Sequence, residues 1–255
     1  MKNLVILLGL LLPISIFAKG FPDTTRRMAL LIGNAQYQRL STLKNPLNDV
    51  DTLATVLENL NFRVFTGKDL SYLEMKRLVT HFTDSLRAGD VALLYYAGMG
   101  VTNQEENYLI PIDAAIQSER DIAAECFSVE TLMGQIANRH TKVNFFWMDA
   151  CFSGFERLGT VKTSLPEDHS LLVYSGVSTV QDGDGKNSPF TQAMLKALKS
   201  QTQLVLKPEE VLDINELTRR VCAEVRQTTH DAQQPILICR LFEPFYLHQY
   251  TVNRR

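Results

Sequence analysis

Cys151 lies in VNFFWMDACFSGF (143 to 155), where a continuous apolar run stops abruptly at small residues. A thiol attacks only as its thiolate, a few per cent of molecules at neutral pH for an unperturbed pKa of about 8.5. Acyl transfer by such a thiol calls for a base, normally a histidine, that takes the thiol proton and returns one to the leaving amine. It also calls for backbone N–H groups aimed at the developing oxyanion, and glycines suit that task because they let a substrate carbonyl approach the main chain. A second stretch, LLYYAGMGV at 93 to 101, has the same apolar run and ends at Gly98, Met99 and Gly100. A thioether is a weak acceptor that carries no proton at neutral pH, so Met99 supplies no acid or base there. Asp149, two residues before Cys151, projects to the same side of a strand. Its charge opposes thiolate formation unless a substrate cation offsets it.

The five histidines are dispersed. His81 falls within a helical pattern, on or beside its apolar stripe, where a core or surface role is expected. His140 precedes a strand, at the opposite end from its carboxyl tip. His169, in the loop-like segment 153 to 169, and His230, near the QQP at 233 to 235, are the other candidates to approach Cys151. His248 is close to the terminus.

The elements that must position these residues follow from periodicity. RRMALLIGN (26 to 34), FRVFTG (62 to 67), VALLYYAG (91 to 98), KVNFFWMD (142 to 149) and SLLVYSG (170 to 176) are short apolar runs that predict buried strands, with PILICRLF (235 to 242) as a candidate sixth. Between them, Val50, Leu53, Val56, Leu57 and Leu60 recur at helical spacing after Asn45-Pro46, an N-cap followed by Pro at the first helical position. Ser71 with Glu74 makes a capping box for a helix through about Arg87, with Leu73, Leu78 and Phe82 on its face. Further helices are expected from about Ser128 to Asn138, from Ser188-Pro189, and from Asp213 to about Thr228. Fully apolar strands alternating with amphipathic helices predict a doubly wound α/β domain: a mainly parallel six-stranded sheet with helices on both faces. Its ligand crevice should lie beyond the carboxyl ends of the strands, and Met99 and Cys151 are each expected just past such an end.

Composition narrows the function. Of 255 residues, 45% are hydrophobic and 21% charged, as in an ordinary globular chain. The net charge is −2 with no basic stripe, which argues against nucleic acid as a partner. Residues 1 to 18 carry Lys2, an apolar run too short to span a bilayer, Pro13 and Ala18. That pattern predicts a secretory signal peptide, a mature domain over 19 to 255, a secreted or periplasmic location and no membrane attachment once the signal is removed. Cys126, Cys151, Cys222 and Cys239 include no C-x-x-C, so no zinc site is expected; Cys222 and Cys239 could pair. Phosphate-binding glycine motifs are missing, and DGDG (182 to 185) lacks the glutamate of an EF-hand; no metal or other cofactor is expected.

The order of motifs resembles the caspase-like cysteine peptidases (peptidase C14), above all the prokaryotic metacaspase and paracaspase-like members. RRMALLIGNAQYQRLSTLKNPLNDV is similar to that family's opening strand, loop and helix. YYAGMGV with ENYLIPIDA resembles its Y-A-G-H-G motif and the E-N-Y-L-I-P after it. DACFSG resembles its D-[AS]-C-x-S-G nucleophile turn, and DGDGKNSPFTQAML with QQP its C-terminal portion. The likeness covers about 26 to 248. It implies a large-subunit-like part (about 26 to 152), the loop 153 to 169 holding Arg157 and Lys162 as candidate processing sites, and a small-subunit-like part (about 170 to 250). It assigns Cys151 the nucleophile position and, with Gly100, the oxyanion-donating N–H groups. The family's His lies about 50 residues before its Cys, and Met99 stands there. The resemblance also implies an acidic pocket for Arg or Lys, made here by Asp49 and Asp149, with Ser175 lining the same cleft; family members can bind calcium near acidic loops. Two functions stay open: a pseudopeptidase whose cleft binds basic side chains of a peptide or protein, and an active endopeptidase that cleaves after Arg or Lys with a non-standard base. A third, a redox or scaffold role, would make Cys151 merely an exposed thiol.

Overall fold

Met28 to Ile32, all fully apolar, have no water-facing side, and they lie in the middle of the sheet as strand β1 (Arg27–Gly33). The structure is a computed structural model that describes residues 25–104, 106–154, 165, 169–176, 185–203 and 212–247, with the backbone alone for 151, 153, 154 and 201–203. The expected signal peptide, Arg157, Lys162, Asp182 to Asp184 and His248 fall outside these residues.

After β1 come α1 (Pro46–Asn59), β2 (Phe62–Lys68), α2 (Tyr72–Ser85), β3 (Val91–Asn103), β4 (Glu106–Leu109), α3 (Glu119–Glu125), β5 (Phe127–Ser128) and α4 (Val129–Ala137). The chain continues through β6 (Val143–Gly154), β7 (Ser170–Tyr174), α5 (Pro189–Gln203), α6 (Ile214–Thr228) and β8 (Ile236–Cys239). The sheet runs β2-β1-β3-β6-β7-β8; the first five are mutually parallel, and β8 returns antiparallel to β7. This is the doubly wound α/β architecture that the alternating pattern predicts.

Period-2 alternation divides the strand side chains between two cores. Leu31, Leu93, Tyr95, Phe145, Trp147 and Val173 face α1, α5 and α6. Leu30, Leu94, Tyr96, Phe146, Met148 and Tyr174 face α2 and α4. Each fully buried large side chain is worth about 1.5–3 kcal/mol, so helices on both faces are the way to bury strands this apolar.

Several local expectations need correction. Asn45 precedes α1, but its side chain makes no cap bond; Pro46 at the first position and the Asp49 N–H to Asn45 carbonyl bond open the helix instead. The Ser71–Glu74 capping box forms, yet Leu73 is exposed, and the buried face of α2 is Met75, Val79 and Phe82. The apolar pattern predicts none of β4, β5 and α3. Glu106 to Leu109 is short and polar at its start, and becomes a strand because the far half of β3 offers it an antiparallel edge. Cys222 and Cys239 are free, half-buried thiols rather than a disulfide. Among the described residues no helix is long and apolar enough to cross a membrane.

Candidate functional site

β3 and β6 outrun their neighbours. Pairing of β1 with β3 ends at Gly33–Ala97 and that of β6 with β7 at Met148–Tyr174, whereas β3 and β6 remain paired to Thr102–Gly154. Met99 and Cys151 are direct register partners on this projecting ribbon. They therefore stand beyond the ends of β1 and β7, but inside their own strands rather than past them. The reason is β4, whose antiparallel return on β3 extends the sheet beyond the expected corner.

The 98–100 backbone is held from several sides. Met99 N–H donates to the Tyr37 hydroxyl at 2.7 Å, and the Tyr96 hydroxyl donates to the Met99 carbonyl at 2.9 Å. The Ile110 N–H reaches the same carbonyl at 3.0 Å. Tyr37 is delivered by a loop pinned through Asp69, whose carboxylate accepts Ala35 N–H at 2.8 Å and Gln36 N–H at 2.9 Å. Buried Asn34 ties the neighbouring loops, accepting Leu70 N–H at 2.9 Å and donating to the Ile110 carbonyl at 3.1 Å. Burial pushes the Tyr37 phenol up to about 12, with the bonds to Met99 and Tyr96 pulling the other way, so it stays protonated at neutral pH. A Cβ on Gly98 would come within 2.7 Å of both tyrosine hydroxyls, and one on Gly100 within 2.6 Å of the Phe152 ring. The Gly-X-Gly spacing is thus demanded by close packing. The Met99 side chain, half-buried, joins a satellite apolar cluster with Tyr37, Val101, Ile110 and Ile122, an environment that suits a thioether.

Pairing with β4 fixes the direction of the Gly100 amide. Because Ile110 N–H bonds Met99 carbonyl, Gly100 and Leu109 form a non-hydrogen-bonded antiparallel pair. The Gly100 amide is therefore turned toward β6, where the parallel ladder continues.

Three of the four described histidines lie away from this ribbon. Ser170 pairs with Asn144, so His169, just before β7, is roughly 25 Å from Cys151 at about 3.3 Å per residue along β6. His140 is at the same distant end, its carbonyl accepting Gly89 N–H. His81 is exposed, its ring edge against Phe65, and Phe65 is level with Leu94 in mid-sheet. Among the described residues only His230 is at the carboxyl end. It is exposed in the turn between α6 and β8, and β8 is two strands from β6.

Asp49, Asp149 and Ser175, far apart in sequence, do come together. Asp149 shares the Trp147 face of β6 by alternation, and the Met148–Tyr174 pairing sets Ser175 level with it on the neighbouring strand. Asp49 is on the first turn of α1. Both carboxylates are buried, at 1% and 4% exposure. The start of α5 joins them: Ser188 N–H and the Asn187 amide donate to Asp49 Oδ1 at 3.1 and 2.8 Å. The Ser188 hydroxyl and the Thr191 hydroxyl (3.1 Å) donate to Asp149 Oδ2. These four donors are neutral, and the positive end of the α5 dipole adds to them. Tyr95 bonds Thr191 at 2.7 Å, and burial, then the charges of Asp49 and Asp149, hold its phenol well above its ordinary value. The Ser175 hydroxyl is fully buried with no partner among the described residues. Sequence reasoning missed Asn187, Ser188 and Thr191; the Ser-Pro helix start was visible, but nothing in the sequence tied it to either aspartate.

Comparison with known proteins agrees with this architecture. The family model for the caspase domain, Peptidase C14, matches residues 26–246. The chain is 35% identical over 130 residues to human mucosa-associated lymphoid tissue lymphoma translocation protein 1, covering 51% of this chain and 15% of that one. The mouse homologue is 35% identical over 132 residues, 52% of this chain and 16% of its own. The matched segment is thus about a sixth of these curated relatives. The crystal structure of caspase-1 from Spodoptera frugiperda superposes with a TM-score of 0.67 at 19% identity, over 90% of this chain and 92% of that one.

Proposed function

This chain belongs to the caspase-domain family, Peptidase C14, and from that premise we propose that it is an exported pseudopeptidase whose acidic cleft receives Arg or Lys side chains of a peptide or protein. The observation that carries the reading is the register pairing of Met99 with Cys151. The position beside the nucleophile, where the family's His would stand, holds a thioether that cannot carry a proton. Loss of general acid–base assistance costs about 10²–10⁴ in rate. The turn of the Gly100 amide toward β6 removes a second contribution, an oxyanion donor, worth about 10²–10³. The receptor half of the site keeps its groups by contrast: two buried carboxylates and a buried hydroxyl with no partner among the described residues suit a cation with several N–H donors. Export rests on the leader at 1 to 18, and amino-terminal sequencing of the mature chain should find it beginning near Lys19.

The test is turnover of fluorogenic peptides ending in Arg or Lys by the purified protein beside Cys151→Ala. The two should be indistinguishable, while an Arg peptide binds and its citrulline analogue does not. Turnover that needs Cys151 in the unaltered chain would overturn the reading. If His230→Ala then abolished it, an active endopeptidase with a non-standard base would take its place.

A further inference from the structure

Ser188 has a place in the buried acidic cluster that its role as a helix start does not require. Its carbonyl accepts Gln192 N–H at 2.8 Å and its hydroxyl accepts Thr191 N–H at 3.0 Å, which is ordinary N-capping. The same hydroxyl donates its proton to Asp149 Oδ2, and the Ser188 N–H donates to Asp49 Oδ1. One residue thus ties together two carboxylates, one from α1 and one from β6, and these bonds turn one oxygen of each toward α5.

Two buried carboxylates joined through one residue repel, and repulsion and desolvation both favour protonating one of them. Donors to the charged form oppose this. Ser188 supplies two of the four described donors, one to each carboxylate; Asn187 and Thr191 supply the others. Buried Ser175, its hydroxyl unpartnered among the described residues and level with Asp149, leaves a polar group beside the carboxylates for a ligand to meet.

We propose that Ser188 is the positioning residue of the cation receptor: it holds the Asp49 and Asp149 carboxylates ionised and oriented together, so that a single guanidinium or ammonium meets both. This inference rests on the proposed binding of basic side chains. It also makes the receptor depend on the seating of α5, since moving the helix start would release both carboxylates at once.

The test is fluorescence anisotropy of a fluorescein-labelled peptide ending in arginine amide, with its citrulline analogue, against the purified protein from about pH 5 to pH 8. Among the described residues, the ionisable groups that face Ser188 are Asp49 and Asp149, with Tyr95 behind Thr191 remaining neutral over this range. Ser188→Ala should weaken arginine-peptide binding about tenfold at neutral pH, the scale of one lost charge-assisted hydrogen bond. It should also move the acid limb of binding to higher pH, because a carboxylate deprived of a donor protonates more readily. Ser188→Thr should restore both. Ser188→Gly, which keeps most of the capping but lacks the hydroxyl, should behave as Ser188→Ala and guards against a folding defect in that variant. Binding by Ser188→Ala and Ser188→Gly within about twofold of wild type with an unmoved acid limb would overturn the inference, and retained arginine-over-citrulline preference would leave the receptor standing. Equal binding of both peptides by the unaltered protein would remove the receptor itself and this inference with it.

Discussion

Replacing Tyr37 with Phe isolates one hydroxyl in the support beneath Met99. The ring keeps its place in the satellite cluster, so the packing change is small. The hydroxyl is the acceptor for Met99 N–H at 2.7 Å and lies 3.3 Å from the Tyr96 hydroxyl. Removing it strands a donor in a largely buried setting, which costs about 1–3 kcal/mol. Tyr96→Phe removes a donor to two carbonyls that keep other partners, since Met99 carbonyl retains Ile110 N–H and Ile110 carbonyl retains the Asn34 amide; the contact it also removes from the Tyr37 hydroxyl is, at 3.3 Å, long and weak. Its cost is the net worth of a hydrogen bond, about 0.5–1.5 kcal/mol. At about 2–4 °C per kcal/mol for a chain of this size, Tyr37→Phe should lower the thermal midpoint by roughly 4–8 °C and Tyr96→Phe by roughly half as much. Differential scanning calorimetry of both variants in one buffer measures the order. An equal loss, or a larger one for Tyr96→Phe, would refute the claim that the Met99 amide depends on Tyr37.

Other outcomes rest on the same geometry. Gly100→Ala should destabilise by about 1–3 kcal/mol in urea unfolding, because its Cβ would press within 2.6 Å of the buried Phe152 ring, which has little room to yield. Raising the pH should destabilise the protein between about pH 9 and pH 12. Tyr37 and Cys126 have folded pKa values raised to about 12 and Cys222 to about 11, each chiefly by burial. The unfolded chain therefore loses these protons first, and the stability they contribute is full below the unfolded pKa values and lost as pH rises to the folded ones; circular-dichroism melts across that range measure it. Cys126, buried in the satellite cluster, should alkylate at least tenfold more slowly than half-buried Cys239 under iodoacetamide, read by peptide mass spectrometry. Met99→His should raise peptide turnover by no more than about 10⁴-fold, the most a returned base supplies while the Gly100 amide stays turned toward β6; a larger gain in kcat/KM would show that the ribbon opens readily.

Much of the scaffold was legible because its signals are local. Strands buried on both sides are written as unbroken apolar runs, so Met28–Ile32, Leu93–Tyr96 and Phe145–Met148 could hardly be anything else. Ser71 with Glu74 and Asp213 with Glu216 announce helix starts in the residues that make the bonds. Where a local signal depended on which face turned inward, it misled: Leu73 has helical spacing with the core residues of α2 yet faces water. The unexpected strands β4 and β5 show a second limit, because a four-residue segment becomes a strand only when another edge is offered to it.

For the site, the sequence by itself determined the chemistry available: one thiol and one thioether at motif positions, two aspartates that the family pattern pairs, and no histidine in either motif. Tertiary structure alone decided how those groups are placed. It set Met99 and Cys151 side by side within continuous strands, turned the Gly100 amide into the sheet, and carried Ser188 between carboxylates 139 and 39 residues away. The physical reason is range. Hydrophobic periodicity and capping act over a few residues and leave a trace in their order, whereas register, amide direction and the meeting of buried charges are fixed by strands and helices that adjoin only after the chain has folded.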